Sequence, residues 1–118
     1  MSEKPKAIVV RPEDRKRMGN LEFISLSEHT SRFNLAFITK ETGEGPPAHT
    51  HADEEDSFLI LEGELTFTAD GEEIVAGQGT FVLIPPGVEH TFANRGETPV
   101  KIVNIHAPAG FDRRMLED

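Results

Sequence analysis

Three histidines stand at spacings that suit a metal-binding site. His49 and His51 are separated by one residue, which on a β-strand places both imidazoles on one face about 6.6 Å apart along the chain. Imidazole nitrogens bind divalent metals at about 2.1 Å, so two rings on one face can reach the same ion. His90 follows a Pro-Pro-Gly turn that would deliver it to the start of another strand. The alternative interpretation is that these histidines are solvated surface or ordinary strand residues.

A run of acidic residues, Asp53 to Asp56, follows the histidine pair and directly precedes the apolar stretch Ser57 to Leu61. A carboxylate at the entrance of a buried strand costs free energy unless it is paired or bound to a cation. The chain has no cysteine, so thiolate zinc sites, iron–sulfur clusters and disulfides are excluded. Any metal must therefore be held by nitrogen and oxygen. An acidic run is also typical of an exposed, solvated face.

The hydrophobic pattern that must position these residues has a period of two, which indicates β-strands. Glycine- and proline-rich breakers interrupt it every eight to twelve residues or so, which is typical of an antiparallel sandwich or barrel. Asp70-Gly71 predicts a two-residue hairpin turn. Predicted strands lie near 23–26, 33–38, 58–61, 65–69, 74–76, 80–84, 90–93 and 100–107, with an edge strand at 7–10 and a helix at 111–117. The fold class is therefore all-β.

Length and charge limit the classes of function. The chain has 118 residues, which is enough for one domain and too few for two independent cores. With 12 Lys and Arg against 21 Asp and Glu, its net charge is −9. An acidic chain without a basic stripe is expected to bind neither nucleic acid nor an anionic membrane. No secretory signal or membrane-spanning apolar run is visible, so we expect a soluble protein of the cytoplasm.

Two ordered motifs in this chain resemble those of the cupins. The first reads G-x5-H-x-H-x3,4-E-x6-G, and the chain offers Gly43, His49, His51, an acidic residue and Gly63. The second reads G-x5-P-x-G-x2-H-x3-N, and the chain matches it at Gly79, Pro85, Gly87, His90 and Asn94. The resemblance implies one cupin domain over 1–118, an antiparallel β-barrel of the jelly-roll or double-stranded β-helix type. Its barrel would span about 33–107, with an N-terminal strand or arm at 1–20 and a short C-terminal helix at 110–118.

The resemblance further implies one divalent transition metal (Fe, Mn, Ni, Cu or Zn) held by three histidines and a carboxylate. Counting back from Gly63 places Asp56 where cupins usually have glutamate. Strand alternation favours Asp56, because it would share the inward face with Phe58, whereas Glu55 would point away. The implied ligands are His49, His51, His90 and Asp56, with Glu55 as the alternative carboxylate. Either acid, Asp56 or Glu55, is a candidate general base.

The likeness to the barrel of quercetin dioxygenases implies a metal-dependent, dioxygenase-like oxidoreductase that acts on a small oxygenated molecule. A non-catalytic binding or sensing protein, and a metal-dependent isomerase or decarboxylase, remain alternatives because fold does not fix the reaction. Cupins commonly pair, so a homodimer is expected, with residues 7–10 reaching the partner. The phenylalanines expected in the core are Phe33, Phe37, Phe58, Phe67, Phe81 and Phe92. The residues expected to line a ligand pocket are Phe37, Phe58, Ile60, Phe92, Asn104 and His106.

Overall fold

The computed structural model describes residues 5–43 and 45–117. Residues 1–4 of the expected N-terminal arm, residue 44 and residue 118 of the expected helical segment lie outside the described residues. The first elements are a 3-10 helix (Pro12–Asp14), β1 (Lys16–Met18), β2 (Leu21–Phe23), β3 (Asn34–Lys40) and β4 (Glu55–Glu62). They are followed by β5 (Leu65–Ala69), β6 (Glu72–Ala76), β7 (Phe81–Ile84), β8 (His90–Ala93), β9 (Val100–Ala107) and helix α1 (Phe111–Leu116).

The strands form two antiparallel sheets that face each other across the core. One sheet has the order β1-β2-β3-β9-β4-β7, and the other has the order β6-β5-β8. Apolar side chains from both sheets are buried between them, with the largest at Phe23, Phe58, Phe67, Ile60 and Leu65. Burial of this apolar surface between two layers is what stabilises such an arrangement. The predicted all-β, antiparallel jelly-roll class is confirmed.

Within the described residues the two sheets are not closed into one continuous barrel, which corrects that part of the expectation. The loop before His49 forms no continuous ladder with β8 and the residue after it, but two isolated β-bridges, between Gly43 and Asn94 and between His49 and His90. Pro46 and Pro47 lie between these bridges, and proline has no N–H to donate to a ladder. The loop therefore runs beside β8 without becoming a strand.

The phenylalanines divide between the core and the outer surface. Phe58 and Phe67 are 1% and 0% exposed, whereas Phe33 and Phe81 are 36% and 55% exposed. Phe37 also lies on the outer face of β3, where the burial pattern alternates the other way. The expected core placement was therefore wrong for these last three. Alternation defines two faces, but it does not say which face the second sheet covers when both carry apolar residues.

The hairpin predicted from its turn residues is present, whereas the strand predicted at 7–10 from its branched side chains is not. Asp70 and Gly71 join β5 to β6 with φ values of 49° and 77°, as a two-residue type I′ hairpin requires. The predicted edge strand at 7–10 is wrong, because this segment pairs with no strand among the described residues. Ile8 and Val9 are 61% and 62% exposed. Branched side chains favour a strand only where a sheet edge is available to pair with them.

Helix α1 begins one residue after Gly110, as predicted, and a buried carboxylate connects it to the loop between β2 and β3. Asp112 accepts hydrogen bonds from the Ser27 hydroxyl and, at 2.8 Å, from the Ser27 N–H. The N–H of Gly110 donates to Oδ1 of Asn34 at 2.8 Å. Burial alone would raise the pKa of Asp112, but the hydrogen bonds from Ser27 outweigh it and hold the pKa low. In the described part of the chain, no helix is long and apolar enough to cross a membrane.

Candidate metal centre

Backbone hydrogen bonds bring the three expected histidines into one cluster. The N–H groups of His49 and His90 each donate to the other residue's carbonyl oxygen, both at 2.9 Å. The carbonyl oxygen of His51 accepts a 2.8 Å hydrogen bond from Gly87 in the Pro-Pro-Gly turn. The ring centroids of the three imidazoles lie 4.4, 4.9 and 5.5 Å apart. Segments remote in sequence thus present three imidazoles to one point.

Gly45 allows the loop that carries His49 to lie directly against β8. A Cβ atom at this position would be 1.5 Å from the carbonyl oxygen of Phe92, so no other residue fits without displacing the loop. The hydroxyl of Thr91 also donates to the carbonyl oxygen of Pro46. This close approach fixes the position of the loop, and it therefore places His49 opposite His90 at the start of β8.

Carbonyl oxygens set the orientation of two of the rings. Nδ1 of His49 is 2.9 Å from the carbonyl oxygen of Pro47, and Nδ1 of His90 is 2.9 Å from that of Val88. Because a carbonyl oxygen only accepts, Nδ1 of each ring carries the proton and donates. In the neutral ring this leaves the lone pair on Nε2, which is how metal-binding histidines are commonly arranged. In the protonated ring of His90, Nε2 instead donates to Oδ2 of Asp56.

Asp56 supplies the carboxylate of the cluster. Its Oδ2 lies 3.0 Å from Nε2 of His90 and 3.7 Å from Nε2 of His51. One donor atom from each of His49, His51, His90 and Asp56 lies within 4.8 Å of all the others. Glu55, the alternative carboxylate and alternative base, is exposed on the opposite face of β4, because successive strand residues alternate. The structure therefore places Asp56, and not Glu55, beside the three histidines.

The donor set fits a divalent metal. Nε2 of His51 is buried and has no hydrogen-bond partner in the part of the chain that the structure describes. Leaving a buried polar atom without a partner costs about 1–3 kcal/mol, which a cation at the centre of the cluster would remove. Three imidazoles and a carboxylate are the nitrogen and oxygen ligands that suit Fe, Mn, Ni, Cu and Zn.

The pKa shifts in the cluster favour a neutral His51, an ionised Asp56 and a proton on His90. Burial lowers the pKa of His51, which keeps its ring in the neutral form that a metal requires. Burial alone would raise the pKa of Asp56, but the hydrogen bond to His90 and the nearby His106 hold the pKa below its usual value. Burial alone would lower the pKa of His90, and the same contact with Asp56 reverses this and raises the pKa. A buried carboxylate thus stays ionised among imidazoles.

A cavity of about 580 Å³ opens onto this cluster. His49, His51 and Asp56 are among its polar lining residues, and apolar side chains from both sheets and α1 form most of its walls. Four of the six residues expected to line a pocket do line it, namely Phe58, Phe92, Asn104 and His106. The cavity is within the usual size range for a small-molecule site.

The other two expected pocket residues lie elsewhere, and the reasons differ. Phe37 is on the outer face of β3, where its ring centroid is 5.9 Å from the guanidinium carbon of Arg15. Ile60 points inward but is 0% exposed and packs in the core. An inward-facing strand residue therefore lines the cavity only where the core is not already filled by other side chains.

Sequence reasoning missed the contribution of α1 to the site. Phe111, Arg114 and Met115 line the cavity, and Arg114 donates two hydrogen bonds to Glu54, at 2.6 and 2.7 Å. Glu54 was visible only as one member of an acidic run. Residues 54 and 114 are joined solely by the folding of the chain, so no local spacing could have paired them.

Asn94 matches the second motif, yet it supports a turn and does not line the cavity. Its Nδ2 donates to the carbonyl oxygens of Lys40 and Thr98 at 2.9 and 2.8 Å. Its Oδ1 accepts a 2.9 Å hydrogen bond from the N–H of Gly96. The residue therefore fixes the turn between β8 and β9.

Three relatives illustrate what the chain is similar to. It is 32% identical over 60 residues to quercetin 2,3-dioxygenase of Bacillus subtilis, a match covering 51% of this chain and 18% of that protein. It is 27% identical over 110 residues to the HTH-type transcriptional regulator PuuR of Escherichia coli, covering 88% of this chain and 58% of that protein. A predicted oxalate decarboxylase of Thermotoga maritima has the same fold, with a TM-score of 0.70, 22% identity and coverage of 86% and 99%.

The chain thus spans less than two thirds of the length of these curated relatives, and each match concerns a part of the larger protein. A family model described as a cupin domain matches residues 36–106, which is more than half of the chain. The matched region contains both histidine motifs and the carboxylate. On this match, and with this fold and this cluster of three histidines and a carboxylate, the chain belongs to the cupin family.

Proposed function

We propose that this chain binds one divalent transition metal through His49, His51, His90 and Asp56, and uses it in a dioxygenase-like oxidation of a small oxygenated molecule. The observation that carries the proposal is the approach of four donor atoms to within 4.8 Å of one another beside the cavity. The sequence match to part of a quercetin 2,3-dioxygenase favours oxidation among the reactions of this fold. The metal is one of Fe, Mn, Ni, Cu or Zn, because the order of affinities alone does not select among them.

The roles of the protein groups follow from their contacts. A bound divalent metal supplies Lewis acidity and ligand positions that four protein donors leave open. The rings of Phe58, Phe92 and Phe111 line the cavity and would pack against an apolar or aromatic substrate body. Oδ1 of Asp56 accepts a hydrogen bond from Asn104 while Oδ2 points at the imidazoles, so we assign Asp56 as a ligand and not as a general base.

The first experiment is elemental analysis of protein purified without chelators and without a nickel resin.

The second is oxygen uptake with diketones and flavonoid-like compounds as candidate substrates. We expect turnover that disappears in His49→Ala while the circular dichroism spectrum is unchanged. His29→Ala is the matched control, because His29 lies in a turn where its Nδ1 accepts from the N–H of Leu26. Oxygen uptake that continues at the same rate in His49→Ala would argue against metal-dependent oxidation.

A non-catalytic binding or sensing role is the second candidate. The match to a transcriptional regulator, which covers 88% of this chain, favours it. This role predicts that a small ligand stabilises the protein without being converted. Calorimetry before and after removal of the metal separates the two candidates, since tight ligand binding by the metal-free protein without turnover supports the sensing role.

Metal binding is expected to weaken as the pH falls. Protons compete with the metal for Nε2 of each histidine ligand, and the ordinary histidine pKa is about 6.5. We therefore expect Co²⁺ affinity to fall roughly tenfold or more between pH 7.5 and pH 5, measured by titration in buffers of equal ionic strength. Equal affinity at the two pH values would contradict ligation by histidine.

We further propose that two copies pair through the β7 edge of the larger sheet. β7 is an edge strand of this sheet, and its Phe81 and Leu83 are 55% and 42% exposed. An exposed apolar edge favours pairing with a second copy. We expect a dimer by light scattering at micromolar concentration and a shift to monomer in Phe81→Glu. Val75→Glu is the matched control, because Val75 is 56% exposed on the other sheet. A monomeric unmodified protein would contradict the pairing.

A further inference from the structure

We propose that His106, Glu54 and Arg114 form a positioning chain that determines which oxygen of Asp56 faces the metal centre. The inference rests on the proposed metal binding and concerns residues beyond the four ligands. It assigns Asp56 as a ligand through Oδ2 alone, with its other oxygen held by the protein.

The two oxygens of Asp56 have separate partners. Oδ2 lies 3.0 Å from Nε2 of His90. Oδ1 accepts a 2.7 Å hydrogen bond from Nδ2 of Asn104 and lies 3.2 Å from Nε2 of His106. Aspartate is one methylene shorter than the glutamate usual at this position, so its reach depends on how the carboxylate is turned. With Oδ1 engaged, Oδ2 is the oxygen that remains for a cation among the imidazoles.

His106 is itself held from two sides. Its Nδ1 lies 3.0 Å from Oε1 of Glu54, and its ring stacks on Phe111 with centroids 4.0 Å apart and planes 5° from parallel. The residue is 3% exposed. Rotation of the ring would therefore break contacts that water could not replace. One nitrogen of His106 faces Glu54 and the other faces Asp56.

Arg114 fixes the far end of this chain of contacts. Two of its guanidinium nitrogens donate to the two oxygens of Glu54 at 2.6 and 2.7 Å, and such a bidentate pair sets the plane of the carboxylate. The Glu54 side chain is only 14% exposed, whereas that of Arg114 is 48% exposed. The C-terminal helix is thus connected to the ligand carboxylate through two intermediate side chains.

The test is a titration of the full chain with Co²⁺ alone, because the visible absorption of bound Co²⁺ reports its coordination. Loss of a group that orients a ligand typically lowers metal affinity 10- to 100-fold. We expect Arg114→Ala and Glu54→Gln to raise the Kd for Co²⁺ by about tenfold and to shift the absorption bands. Arg113→Ala and Asp53→Asn are the matched controls, since both residues are exposed neighbours without these contacts. The controls should keep the Kd and spectrum of the unmodified protein.

Two features separate positioning from simple loss of folding. A folding defect would lower the amount of Co²⁺ bound without moving the absorption bands, and thermal unfolding of the metal-free variants measures it directly. Arg114→Lys keeps the positive charge but cannot donate two parallel hydrogen bonds to Glu54, so it should recover only part of the affinity lost in Arg114→Ala.

Two outcomes would overturn the inference, and they are distinguishable. If Arg114→Ala and Glu54→Gln keep the Kd and spectrum of the unmodified protein while His90→Ala loses Co²⁺, the positioning chain is wrong and the metal site stands. If the unmodified protein itself does not bind Co²⁺, the proposed function fails and the inference fails with it.

Discussion

Replacing His90 with alanine is expected to lower the affinity of the protein for Co²⁺ by about 100-fold. Four-ligand metal sites bind with about 10–16 kcal/mol, so one ligand contributes about 3 kcal/mol, and each 1.4 kcal/mol is a factor of ten. His90 also makes the 3.0 Å contact with Oδ2 of Asp56, so its removal leaves a buried carboxylate without that partner. Isothermal titration with Co²⁺ at pH 7.5 measures the change.

His29→Ala is the control for this variant, because it removes an imidazole that lies outside the cluster. Its Kd for Co²⁺ should equal that of the unmodified protein. Because His90 is 1% exposed, its truncation could also disturb folding, and His51→Ala provides a second ligand variant whose side chain is 20% exposed. Unchanged Co²⁺ binding in both ligand variants would contradict the proposed metal centre.

The four residues of the cluster could be named from the sequence because the resemblance to cupins implies them, and because each lies in a short segment whose geometry is local. The spacing of His49 and His51 sets their shared face, and the Pro-Pro-Gly turn places His90 at the start of β8. Strand alternation also favoured Asp56 over Glu55 before any contact was known. The hairpin between β5 and β6 was predictable for the same reason, since its two residues carry their own conformational preference.

The sequence could not predict how the strands and α1 pack against one another. Phe37, Phe81 and Phe58 all lie in predicted strands with alternating apolar residues. Only the packing of the two sheets decides which face of each strand is covered. Glu54 and Arg114 meet because α1 folds back over the sheet. Closure of the barrel was overestimated because the motif says nothing of the two prolines beside β8. The cavity walls depend on all of these relations, so its lining was only partly predictable.

Replacing Phe67 with alanine is expected to lower the free energy of unfolding by about 3–5 kcal/mol, the usual cost of truncating a fully buried aromatic residue. Phe67 is 0% exposed in the middle of β5, and its ring centroid lies 4.9 Å from that of Phe58 and 5.9 Å from that of Phe92. Since the two neighbouring rings are held by the sheets, they cannot fill the vacated space completely, and the loss includes the cost of a cavity.

Urea unfolding of the metal-free protein measures this effect without the stabilisation that a bound metal would add. Phe33→Ala is the matched control, because the same truncation at a side chain that is 36% exposed should cost less than about 1.5 kcal/mol. Equal losses in the two variants would mean that Phe67 does not lie between the sheets. Phe58 and Phe92, which lie next to Phe67, also line the ligand cavity. That result would therefore also contradict the packing that holds these two cavity residues in place.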